Sequence, residues 1–398
     1  EPEGSAWSVQ VEAHVSGVVD EARLRGAVAA VHRGPAATHD PLEVVVCPDD
    51  AALGAARLAL QGLPAEVTEY PPFRARLARH PAGDVVMLNL NHAAGDGVGA
   101  LRVLEAIAGA YNHPDDDREP LQFLAARDLP VRPASSPVSV LMARYRAVSE
   151  RARDFMARPA LLAADQPGDE PGYGFHLVSL SAEETSAVVS VDRHGTSRNV
   201  LMAALHLAIG DWNLQHGTPG RRIGVLVPVN LRPAEWEDPP VANFSVTARV
   251  STSRRHRAGP ATALKAIAAQ TTRNKRTRTG VALLAGLERS GLLPLWAKQS
   301  LVVLQPLTRN RLVDTALLAN LGWQDEAPTF GPEAGETRHL WFSPPGRSPH
   351  TLCIGALTVS GHLQLVFRYP HRVFGPEAAV RFADCFVAQV RLVAQDRL

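Results

Sequence analysis

The residues best placed to do chemistry lie in one short run, Asn91-His92-Ala93-Ala94-Gly95-Asp96-Gly97. A histidine and an aspartate share a glycine-jointed loop there. An unperturbed imidazole titrates at about 6.5, so it is largely neutral at cell pH yet able to accept a proton. That loop is where chemistry is expected. Asp96 stands just before a helical pattern, where a carboxylate caps exposed backbone N–H groups.

Two elements must position that loop. Val85-Val86-Met87-Leu88-Asn89-Leu90 reads as a half-buried strand, and period two puts His92 on the face of Val86, Leu88 and Leu90, with Asn91 on the face of Asn89. His92 is expected to point inward from the strand end. Val98, Leu101, Leu104, Ile107, Ala108 and Tyr111 recur at three- and four-residue intervals, which predicts an amphipathic helix over 98–111.

Other chemistries compete for the same residues. Gly95-Asp96-Gly97-Val98-Gly99-Ala100 fits the G-x-G-x-x-A dinucleotide fingerprint, but Asp96 would set an anion where the pyrophosphate must sit, and Asp115, Asp116 and Asp117 follow Pro114 with no second strand to present them. An inward histidine can also be a satisfied core residue, and Asp96 a plain helix cap. No G-x-S-x-G elbow occurs, so a hydrolase triad is not indicated. Cys47, Cys353 and Cys385 are odd in number and lack C-x-x-C spacing, which indicates neither a disulfide framework nor a zinc site.

The bulk numbers set the frame. A chain of 398 residues is too long for one comfortable core, so two lobes are expected. Hydrophobic residues make up 45%, and no apolar run reaches the length of a membrane span. A net charge of +1 gives no pull toward nucleic acid or an anionic membrane. Glu1 to Ser8 is polar and mixed, so no targeting signal is read there, and with the thiol pattern a reducing cytoplasm is expected. Charge is uneven along the chain: no acidic residue falls between Asp238 and Glu288, while Arg249, Arg254, Arg255, Arg257, Lys265, Arg273, Lys275, Arg276 and Arg278 do. Such a run is either a solvated face or a landing place for an anionic partner.

Along the chain, strands are expected at 9–15 and 42–47, with a helix at 20–31 between them. The segment 130–174 is rich in Pro and Gly around a charged helix, 138–157. This predicts an N-terminal lobe over 1–160, a linker over 161–174 and a C-terminal lobe over 175–398. The second half restarts with a strand at 175–180 and a helix at 197–214. Strands near 222–231 and 243–251 follow, then a helix from Ala261 and a largely apolar stretch over 283–307. A hairpin spans Ser360-Gly361, and a closing helix from Pro376 to about Ala394 is expected to bury Val380, Phe382, Ala383, Phe386, Val387 and Val390. Strands interleaved with helices in both halves predict an α/β (α+β) protein with mixed sheets.

The loop resembles the H-H-x-x-x-D-G motif of the condensation-domain and CoA-dependent acyltransferase superfamily, with Asn91 in place of the first histidine. Further segments fall in that superfamily's order. Pro72-Phe73-Arg74-Ala75-Arg76-Leu77 leads into the motif strand. Thr196-Ser197-Arg198-Asn199-Val200-Leu201 is similar to the T-x-N-D-x-L helix of its wax ester synthase branch, and Val227-Pro228-Val229-Asn230-Leu231-Arg232 to that branch's V-P-V-x-x-R strand. Ala242-Asn243-Phe244-Ser245 and Ala319-Asn320-Leu321-Gly322 resemble its G-N and S-N-x-G segments.

The resemblance implies two chloramphenicol-acetyltransferase-like lobes in a V around a tunnel. It makes His92 the general base and gives Asp96 a structural ion pair, for which Arg74, Arg76 and Arg232 are the candidates. It also implies that Gly97, lacking a side chain, leaves room for a pantetheine arm. Asn230, Asn243, Ser245 and Asn320 each read alone as ordinary turn or strand-end residues, but in that context they become candidates for oxyanion or substrate contact. Arg273, Lys275 and Arg276 become candidates for greeting an anionic donor. The expected activity is O- or N-acyl transfer from acyl-CoA or a phosphopantetheinyl carrier protein, used as co-substrate with no bound cofactor, to a small-molecule alcohol or amine in bacterial natural-product or lipid biosynthesis. A catalytically silent recruitment module, or a same-fold enzyme performing a cyclisation, stays open beside it. No carrier-protein serine motif is present, so a free-standing enzyme is expected.

Overall fold

The computed structural model describes residues 7–32, 37–63, 65–66, 68–116, 118–123, 159–189, 197–232, 240–276, 313–346 and 351–395, with scattered positions between 141 and 156. The expected helix 138–157 lies almost wholly, and the apolar stretch 283–307 wholly, outside the described residues.

The first half builds a mixed sheet from β1 (Ser8–Val15), β2 (Leu42–Val46), β3 (Phe73–Arg79) and β4 (Val85–Asn91). Its helices are α1 (Glu21–Val31), α2 (Asp50–Gln61) and α3 (Gly97–Asn112). The alternation read along β4 has a physical reason on each face. Val86, Leu88 and Leu90 join the core beneath α1 and α3, while Val85 and Met87 pack with Leu53 and Leu60 of α2. Helix α3 begins where expected, because Asp96 Oδ1 accepts from Gly99 N at 3.0 Å.

The second half supplies β5 (Tyr173–Ser179), β6 (Arg222–Asn230), β7 (Ser245–Ser253), β8 (Ala316–Gln324), β9 (Thr337–Ser343), β10 (Leu352–Val359) and β11 (His362–Pro370). Its sheet runs β5-β11-β10-β8-β6-β7, with parallel pairing at β10–β8 and β6–β8 and antiparallel pairing elsewhere. The helices are α4 (Ala182–Val189), α5 (Ser197–Gln215), α6 (Pro260–Arg276), the short α7 (Gly331–Ala334) and α8 (Pro376–Gln395). Helix α5 is buried nearly all round, from Asn199 to Ile209 without a break, as befits the central helix of a packed lobe. Helix α8 buries Phe382, Ala383, Phe386, Val387 and Val390 as its period requires, but Val380 is 40% exposed and belongs to the outer face.

One strand departs from the linear division into halves. β9 leaves the second half and pairs antiparallel with β1, so the first sheet runs β2-β3-β4-β1-β9. A Cβ on Gly355 of β10 would lie 1.9 Å from Phe342 O, so the side-chain-free position is what lets β10 pass against β9. The two lobes are thereby held together beside the motif loop. Among the described residues, no helix is long and apolar enough to cross a membrane.

Candidate active site

The strand end holds His92 by its backbone and by its ring. Its N–H donates to Trp7 O at 3.0 Å, its carbonyl accepts from Asn243 Nδ2 at 3.0 Å, and the Trp7 indole meets the imidazole edge-on at 5.1 Å. Nδ1 lies 3.1 Å from Gly95 O. A carbonyl can only accept, so Nδ1 carries the proton and the neutral ring's lone pair is at Nε2. This is the tautomer a general base requires.

Asn91 faces the other way, as period two predicts. Its Nδ2 donates to Ala65 O at 2.6 Å and its Oδ1 accepts from Ala93 N at 2.8 Å. The residue standing in place of the motif's first histidine thus ties the loop to neighbouring backbone.

Asp96 is fully engaged. Oδ1 accepts from Gly99 N at 3.0 Å and Arg232 Nη2 at 2.9 Å; Oδ2 accepts from Arg232 Nη1 at 2.8 Å and Phe244 N at 3.0 Å. Both side chains are 6% exposed, so this is a buried, bidentate pair that joins the lobes. Arg232 is the partner among the three candidates. Arg74 pairs with Glu69 and Arg76 with Glu43 instead. Four donors on one carboxylate leave Asp96 no oxygen for chemistry.

A cavity of about 150 Å³ opens between the halves, lined by His92, Asp96 and Gly97 from the motif and by Asn230, Ser245 and Asn320 from the second half. Asn230 Oδ1 accepts from Arg232 N at 3.0 Å and Asn320 Oδ1 from Gly322 N at 2.8 Å. With each oxygen occupied, Nδ2 is the end of each amide that a ligand can use as a donor. Ser245 Oγ donates to Asn243 Oδ1 at 3.0 Å. Asn243 is not among the lining residues; its amide braces the His92 carbonyl.

Gly97 lines the cavity without a side chain. A Cβ there would lie 2.7 Å from Phe342 Cε2 and 2.8 Å from Leu321 Cδ2. The room left by the missing side chain is taken by those two residues, which shape the cavity wall.

Arg273 and Lys275 are exposed on the last turn of α6, where cations complement the helix dipole, and neither lines the cavity; the side chain of Arg276 lies outside the described residues. Other members of the basic run are structural. Arg249 pairs with Asp314 at 2.8 Å, and Arg257 donates to the carbonyls of Thr252 and Gly220. Burial, with Arg254 nearby, lowers the pKa of Arg257 to about 10.

Two cavity residues carry no functional assignment from sequence. Trp7 is the aromatic just before β1, and its contact with His92 is long-range. Arg198 was visible only as a motif position in α5, yet it lines the cavity, and burial lowers its pKa below the ordinary arginine value. Among the described residues, no cluster of His, Cys, Asp and Glu could hold a metal ion.

Comparison with known proteins agrees with this architecture. The uncharacterized proteins MT2362 and Rv2305, from two strains of Mycobacterium tuberculosis, are each 30% identical over 405 residues, covering 95% of this chain and 93% of theirs. No protein-family model matches. TRI3, the trichothecene 15-O-acetyltransferase of Fusarium sporotrichioides, superposes with a TM-score of 0.67 at 13% identity, over 98% of this chain and 92% of its own. A starter condensation domain of rhizomide synthetase, solved as a mutant in complex with C8-CoA and Leu-SNAC, gives 0.62 at 16% identity, over 99% and 90%. The epimerization domain of tyrocidine synthetase B gives 0.60 at 17% identity, over 99% and 92%.

Proposed function

Since the chain belongs to the same family as the two mycobacterial proteins and has the fold of the condensation-domain and acyltransferase superfamily, we propose that it is an acyltransferase with His92 as general base. The observation that carries this reading is the fixed ring of His92 in the cavity between the lobes, with Nδ1–H held by Gly95 O.

A thioester is already activated, so the reaction needs a base and a place for the tetrahedral oxyanion. His92 Nε2 takes the proton of the acceptor hydroxyl or amine as its oxygen or nitrogen attacks the thioester carbonyl. The oxyanion is met by amide donors, for which Asn230 and Asn320 are suited. On collapse the C–S bond breaks and the leaving thiolate recovers the proton from His92, giving acylated acceptor and free thiol. Asp96 takes no proton in this scheme. Its bond to Arg232 holds the loop on which His92 sits, and proximity of the two substrates lowers the remaining barrier. The donor is an acyl-CoA or an acyl carrier protein, a reading supported by the rhizomide synthetase domain, which was solved in complex with C8-CoA.

The test is acceptor-dependent release of free thiol from a panel of acyl-CoAs and short thioesters, with product mass read in parallel. Release that requires an acceptor and disappears in His92→Ala supports the reading. Release that persists in His92→Ala, or no release across the panel, counts against it.

A further inference from the structure

Arg198 sits where protein stability alone would not put it. It is the second residue of α5, at the positive end of the helix dipole, and the first turn of α5 contains no acidic residue. Its side chain lines the cavity beside apolar walls made by Val9, Leu317, Leu321 and Phe342. The one carboxylate in that lining, Asp96, has both oxygens filled by Arg232, Gly99 and Phe244. Among the described residues, no acceptor pairs with the Arg198 guanidinium, although burial opposes its charge. The cavity therefore carries, among the described residues, one positive charge with no counter-charge, close to the candidate base.

We propose that Arg198 is a specificity-determining residue that binds the carboxylate of a small substrate, whose reacting end then lies at His92. A guanidinium meets a carboxylate in a planar, two-bond fork, which fixes orientation as well as charge. Size points the same way. A cavity of about 150 Å³ suits a group about as large as benzene, which leaves no room for a nucleotide's phosphates. The carboxylate belongs either to a hydroxy- or amino-acid acceptor or to a dicarboxylic acyl donor. The proposal rests on acyl transfer only for what happens after binding.

Calorimetry separates the sources with two matched pairs: 2-hydroxy-4-methylpentanoate against its primary amide, and succinyl-CoA against pentanoyl-CoA. The expected result is a preference of at least about tenfold for the acid in one pair, lost in Arg198→Gln; that pair identifies which substrate carries the carboxylate. No preference in either pair, or a preference that survives in Arg198→Gln, overturns the assignment. Arg198→Met keeps the apolar stem and removes the charge, so it should melt no lower than the native protein. A clear fall in Tm would place the arginine's role within the fold and overturn it equally. Because binding is read without turnover, a preference seen in a protein that transfers no acyl group would remove the general-base reading and leave this one standing.

Discussion

His92 and His206 are both histidines set among apolar residues, one in each lobe, and they show what separates a base from a core residue. His206 lies inside α5, fully buried, and burial together with Arg257 and Arg249 pushes its pKa down to about 3. Its Nδ1 pairs with the Thr252 hydroxyl at 2.9 Å, and its Nε2 is sealed in the core without a hydrogen bond. His92 is placed differently. Its Nδ1–H is held by a loop carbonyl and its ring borders a cavity. Burial makes a histidine neutral, but only a fixed N–H on one side and a ligand space at the ring make it useful.

The largest expected contrast is between His92→Ala and His206→Ala. The first should lower turnover by about 10²- to 10⁴-fold with little change in Tm. The second should leave turnover close to native and cost about 2 kcal/mol or more of stability, from the cavity opened in a packed lobe. Matched kinetics and melting curves read both, and the same phenotype from both changes would erase the distinction.

Asp96→Asn comes next. It leaves Arg232 buried without its counter-charge, so a loss of about 3–5 kcal/mol in stability is expected, with activity falling in parallel. A variant with native melting and no turnover would move Asp96 from the scaffold to the chemistry.

Acid titration sharpens the contrast further. The folded pKa of His206 lies below that of the unfolded chain, so its contribution is intact above about 6.5 and is lost as pH falls toward about 3. His32, His176 and His339 are shifted in the same direction by burial. Burial would raise Glu12, but Arg57 and His14 overcome it and hold the group at about 2, so a further loss begins below about 4.5. Denaturant midpoints followed from pH 7 to 4.5 should fall less steeply in His206→Ala than in the native protein.

The smallest effect belongs to Asn91→Ala. Losing two hydrogen bonds to backbone should cost about 1–3 kcal/mol, measured by melting, with kcat within a few-fold of native.

Much of the site was legible because its residues sit at strand ends and a helix start, where period and capping speak locally. His92, Asp96, Asn230, Ser245 and Asn320 meet at one cavity as the motif order implied. Contacts between distant segments were not legible. Arg232 pairs with Asp96 across 136 positions, and nothing local favoured it over Arg74 or Arg76. The return of β9 to the first sheet has no marker in its own alternation, since register is set by the partner strand. The basic run looked uniform in sequence, yet Arg249 pairs with Asp314 and Arg257 with backbone carbonyls, while Arg273 and Lys275 are exposed at the end of α6. Arg198 carried no signal, because a cation's missing partner becomes visible only once its neighbours are placed.

The central claim, that His92 supplies the base for acyl transfer, is tested most directly by chemical rescue. In single-turnover thiol release by His92→Ala, added imidazole should restore part of the lost rate in proportion to its free-base concentration, through the space the ring vacated. Native-like release by His92→Ala before any imidazole is added would contradict the claim.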